Sequence, residues 1–170
     1  MLKHSTLRLC RTAIIAGLYV ILSLVVFPIA SGFIQFRVSE GLTMLALVFP
    51  ESIVGLFIGC LLSNLITGCA VFDVILGSLV TLVAGVCTYF IGKFVRNTFA
   101  KIFIGGLFPV LFNALLLPLI WLLCYGTQTE IYIIQASMLL ASQTLAVYGV
   151  GSPLYLSIKK LKTKGVSVFL

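Results

Sequence analysis

Within long apolar stretches the sequence carries a few groups able to make charged or directional contacts: Arg37, Glu40, Asn64, Asp73, Asn113, Gln135 and Gln143. Carboxylates accept hydrogen bonds from N–H groups, and side-chain amides both donate and accept. An ionised group at the centre of a bilayer costs at least ~2.5 to 3.5 kcal/mol, so each such residue needs a partner or a ligand. Packing accounts stand beside binding ones. Arg37 and Glu40 are three apart and suit a local ion pair. Asp73 opens an apolar block, where a carboxylate meets the positive end of a helix. Asn64 and Asn113 have interhelical hydrogen bonds as their first account.

Other chemistry lacks its residues. A phosphate-cradling G-x-x-x-x-G-K-[ST] loop does not occur, so this chain cannot hydrolyse ATP by itself. The single histidine, His4, lies in the N-terminal tail and reads as a solvated interfacial residue. A His-Glu-x-x-His metal site is therefore absent, and Ser78 has no histidine base within a span. The five cysteines, Cys10, Cys60, Cys69, Cys87 and Cys124, are scattered and read as small packing residues. The sequence points to no enzyme, no metal site and no cofactor.

The elements that must position these groups follow from composition. Of 170 residues 61% are hydrophobic and 9% charged, and the mean hydropathy is +1.25. These values indicate an all-α integral membrane protein. The apolar residues form unbroken blocks rather than the alternating segments of a barrel. A span needs roughly 20 apolar residues, so residues 1–170 hold one transmembrane domain of about six short-looped helices. Approximate spans are 12–30, 38–49, 52–67, 72–92, 102–125 and 131–158. The first is too long for the 7 to 15-residue core typical of a signal peptide. The stretch through Pro50-Glu51 reads as two short helices turning at the proline.

Charge sets the orientation. Ten of the 11 basic residues fall in three clusters: Lys3, Arg8 and Arg11; Lys93, Arg96 and Lys101; Lys159, Lys160, Lys162 and Lys164. Six crossings put all three clusters on the cytoplasmic side, whereas five would not. Both termini are then cytoplasmic, and the net charge of +7 marks loops at a lipid bilayer rather than a nucleic-acid partner. Gly55 and Gly59 form a GxxxG pair whose first account is internal packing. Ala13 and Gly17 repeat the spacing and offer a flat face to a partner helix.

In this topology the polar groups gather toward the outer half with Phe33, Phe36, Phe72, Trp121, Tyr125 and Tyr132. Such a pocket suits a small flat solute, because stacking on an aromatic ring contributes roughly 1 to 3 kcal/mol per base.

The run Gly32-Phe33-Ile34-Gln35-Phe36-Arg37-Val38-Ser39-Glu40-Gly41-Leu42-Thr43 resembles the QueT family of energy-coupling factor (ECF) S components, which salvage queuosine precursors. The likeness continues through Gly55 to Leu65, Phe72 to Leu79 and Pro109 to Ala114. It implies an S component of six helices at the plasma membrane that captures its ligand outside. A coupling subunit and two ATPase subunits would supply the missing nucleotide site. Ala13 and Gly17 correspond loosely to the docking face of such proteins, with glycine replacing a second alanine.

The resemblance implies a 7-deazaguanine cargo: the 7-aminomethyl compound, its 7-cyano relative, or queuine. Glu40 is the first candidate to accept from the guanine-like edge, and Asp73 the second. Asn113 and Asn64 would meet carbonyl or ring nitrogens, Phe36 or Tyr125 would stack, and Arg37 would orient Glu40. The family commonly has a Gly-Glu pair where this chain has Ser142-Gln143, which weakens the case for a cationic aminomethyl ligand. The competing readings are an S component for another solute such as a vitamin, and a structural membrane subunit that transports nothing.

Overall fold

A computed structural model describes residues 2–30 and 36–164. Phe33 and Gln35, the side chain of His4, and the residues after Lys164 lie outside the described residues. The chain forms α1 (Leu2–Ala30), a 3-10 helix (Val38–Leu47), α2 (Ser52–Ile66), α3 (Asp73–Phe94), α4 (Thr98–Tyr125) and α5 (Thr129–Thr163). There is no strand among the described residues. Segments Ser5–Pro28, Asp73–Phe94, Thr98–Tyr125 and Thr129–Thr163 are long and apolar enough to cross a membrane, while the 3-10 helix and α2 are shorter.

Local signals explain the boundaries. Asn97 caps α4 by accepting from the backbone N–H groups of Phe99 at 2.9 Å and Ala100 at 3.4 Å. The same helix ends on Gly126, whose φ of 67° lies in the left-handed region that glycine enters freely. Lys3, Arg8 and Arg11, expected ahead of the first helix, belong to α1 itself. Arg11 bonds Glu51 at 2.8 Å and lies 4.9 Å from the Phe49 ring centroid. Helical structure breaks across residues 48–51, at Pro50.

The segment expected as a short α-helix is instead a ten-residue 3-10 helix. A 3-10 rise of ~2.0 Å per residue carries those residues about 20 Å, against about 15 Å for an α-helix. Ser39 through Leu47 are all buried. On one side Leu42 and Leu45 pack with Ile15, Tyr19, Leu56 and Ile158. On another, Met44 and Leu47 pack with Val110, Val147 and Tyr155. This short helix is therefore the centre of the bundle, and the longer helices surround it.

Two π-helical stretches interrupt the long helices, Asp73–Gly77 at the start of α3 and Leu145–Gly151 within α5. The second faces the 3-10 helix with almost no side chain between. A Cβ on Gly41 would meet the Ala146 carbonyl oxygen at 2.8 Å. The GxxxG pair of α2 serves the same purpose against α1: a Cβ at Gly55 would sit 2.8 Å from the Thr12 carbonyl oxygen, and one at Gly59 would sit 2.7 Å from Tyr19 Cβ. Those glycines thus pack within the bundle.

Candidate functional site

Glu40 enters the bundle on the first turn of the 3-10 helix, and the residue is 2% exposed. Its Oε1 accepts a hydrogen bond from the hydroxyl of Tyr19, which α1 delivers fully buried. The amide of Asn113, from the middle of α4, lies beside the same carboxylate. Asn113 Nδ2 donates in turn to Gln143 Oε1 on α5 at 3.5 Å. Four elements thus place Tyr19, Glu40, Asn113 and Gln143 in one buried polar cluster.

The cluster is incomplete by itself. Glu40 Oε2 and Gln143 Nε2 are buried and have no hydrogen-bond partner. An unpaired buried polar group costs about 1 to 3 kcal/mol, more when charged, so such groups are few in native structures. One of these atoms is an acceptor and the other a donor. Gln135, earlier on α5, adds a third unpaired atom, Oε1.

A second polar group lies at the start of α3. Asp73 Oδ1 accepts from Trp121 Nε1 at 2.6 Å. Asn64 Nδ2 donates to the Asp73 backbone carbonyl at 3.2 Å, so this amide ties the end of α2 to the start of α3. Tyr125 stands edge-on to Phe72, with centroids 5.9 Å apart, and is 41% exposed. Cys60 packs beside this second group: Thr81 Oγ1 donates to its sulfur at 3.5 Å and Asn64 Nδ2 approaches it at 3.7 Å.

Phe36 and Arg37 are half-buried just ahead of the 3-10 helix. The charge of Arg37 acts on both Glu40 and Asp73. Of the two readings that the three-residue spacing of Arg37 and Glu40 left open, a side-chain ion pair is not formed between them among the described residues. Glu40 turns into the bundle, where Tyr19 takes Oε1, and what joins the two residues is the backbone bond from the Glu40 N–H to the Arg37 carbonyl at 3.1 Å. Tyr19 makes the hydrogen bond to this carboxylate. Ala13 and Gly17 lie on the opposite, exposed face of α1, and nothing would stand within 4 Å of a Cβ on Gly17.

Tyr19 belongs to the buried polar cluster although sequence reasoning did not single it out. A tyrosine in the middle of an apolar span must satisfy its hydroxyl inside the protein, and that was the available signal. No three metal-ligating side chains come together among the described residues.

A protein-family model described as QueT transporter matches residues 9–160. The chain belongs to the QueT family. It is a family of transporters rather than enzymes, and its several long apolar helices make this QueT member a multi-pass membrane protein. The chain is 44% identical over 85 residues to the queuosine precursor transporter QueT of Lactococcus lactis subsp. cremoris (strain MG1363). That match covers 49% of this chain and 50% of the relative, so it spans about half of each. No solved structure matches this QueT chain.

Proposed function

We propose that this protein is the substrate-binding S component of an ECF transporter at the plasma membrane, and that it imports a queuosine precursor. The observation that carries this reading is the buried pair of unsatisfied atoms, Glu40 Oε2 and Gln143 Nε2, joined through Asn113. A ligand edge presenting an N–H beside a carbonyl oxygen satisfies both, and a 7-deazaguanine has that edge. The QueT family and the name of the half-length relative support the same cargo.

In this reading all six helices cross the bilayer, both termini are cytoplasmic, and the polar cluster is reached from outside. Glu40 is the principal acceptor for the ligand; Asn113 and Gln143 supply donors. Asp73, Asn64, Phe36, Arg37 and Tyr125 line the way in. A coupling subunit and two ATPase subunits supply the energy for release inside. The coupling subunit docks on α1 at Ala13 and Gly17, beside an apolar groove of about 270 Å³ that includes Ile14, Leu18 and Phe49.

Calorimetric and thermal-shift titration of the purified protein tests this. The panel is 7-aminomethyl-7-deazaguanine, 7-cyano-7-deazaguanine, queuine and guanine, on wild type and Glu40→Ala. Saturable binding of a deazapurine that Glu40→Ala abolishes is the expected result. A folded, ligand-free preparation that binds none of them assigns the pocket to another solute, such as a vitamin.

A further inference from the structure

Tyr19 is buried on α1, and its ring is seated against Gly59, where any Cβ would collide with it. Its hydroxyl reaches Glu40, 21 residues away, and occupies Oε1. The other carboxylate oxygen is left without a partner. On the far side of Asn113, Gln143 is held in the same manner: its Oε1 is engaged and its Nε2 is free. Each recognition group therefore has one atom tied to the protein and one left open.

We propose that Tyr19 is a positioning residue for substrate capture: it anchors Glu40 so that Oε2 accepts the ring N–H of a lactam edge while Gln143 Nε2 donates to the adjacent carbonyl. This rests on the 7-deazaguanine reading above and deepens it. A carboxylate held at one oxygen loses its freedom to rotate, so the acceptor is in place before the ligand arrives. An adenine-like edge reverses the pattern, with an acceptor at the ring nitrogen facing Oε2, and leaves two acceptors opposed.

The test has two arms on the full chain in lipid nanodiscs. In the first, the glutamate carboxyl carbons are isotopically labelled, and infrared bands are compared among wild type, Tyr19→Phe, Glu40→Gln and the double variant without ligand. With only Glu40, Glu51 and Glu130 contributing, the band that Glu40→Gln removes is the one that Tyr19→Phe shifts. In the second arm, 7-deazaguanine and 7-deazaadenine are titrated. Tyr19→Phe weakens 7-deazaguanine about tenfold, the worth of one hydrogen bond, leaves 7-deazaadenine unchanged, and adds nothing to Glu40→Gln. A purely packing role for Tyr19 weakens both compounds equally and repeats its full loss in the Glu40→Gln background. Either result, or an unmoved Glu40 band, overturns the proposal. If the band moves and wild type binds neither compound, the positioning role stands and the deazaguanine reading falls.

Discussion

Gly151 lies so close to Gly41 that a Cβ on it would stand 2.5 Å from the Gly41 carbonyl oxygen and 2.6 Å from Met44 Cγ. This contact presses the π-helical stretch of α5 against the 3-10 helix, the elements that bring Gln143 and Glu40 to one cluster. Gly151→Ala forces backbone apart, because a carbonyl cannot rotate away as a flexible side chain can. We expect a loss of about 1 to 3 kcal/mol, typical of overpacking, together with weaker ligand binding. Thermal unfolding and titration of the same preparation measure both.

Glu40→Gln keeps the size of the side chain and removes the charge. Hydrogen bonds to charged groups contribute about 1.5 to 3 kcal/mol, so ligand affinity falls by roughly ten- to a hundredfold. The ligand-free protein loses no stability, since a buried oxygen without a partner is replaced by a neutral amide. Asp73→Asn has a smaller effect on affinity, because Asp73 Oδ1 is already held by Trp121. Calorimetry on the two variants ranks them, and a larger loss at Asp73 would move the principal acceptor there.

Gln143→Glu places a second carboxylate next to Asn113 and Glu40. Like charges in one buried cluster repel, so the ligand-free variant unfolds at a lower temperature. A cationic ligand relieves that repulsion, and the preference for 7-aminomethyl- over 7-cyano-7-deazaguanine rises. Competition binding on wild type and variant gives the ratio. An unchanged ratio means that position 143 does not read the 7-substituent.

Arg11 joins α1 to the turn before α2 through its bond to Glu51, and the two side chains are 16% and 7% exposed. Removing the guanidinium leaves Glu51 poorly solvated and uncovers Phe49. Arg11→Ala therefore destabilises the protein by on the order of 1 to 3 kcal/mol. Arg11→Lys recovers part of this, because one ammonium replaces the forked guanidinium over the ring. Thermal unfolding in lipid reports the order wild type, lysine, alanine.

Membrane class, the all-helical content and the turn at Pro50 were legible in the sequence because they follow from local composition: unbroken apolar blocks leave the backbone no partner but itself. The candidate residues Glu40, Asn113 and Gln143 were legible for a related reason, since polar groups in such blocks stand out by their cost. Their connections were not. The three-residue spacing of Arg37 and Glu40 suits an ion pair, yet the carboxylate turns inward to a tyrosine 21 positions earlier. No local rule encodes that distance.

The sequence by itself determined which groups are too costly to bury without purpose, and the blocks that carry them. Only the tertiary structure decided which of their atoms are already engaged. Asn64 and Asp73 are tied into the joint between α2, α3 and α4, while Glu40 and Gln143 each keep one atom open. The reason is physical: composition and period act on each helix separately, whereas hydrogen-bond satisfaction depends on how the helices close around the 3-10 segment, where Gly41 and Gly151 let backbones touch.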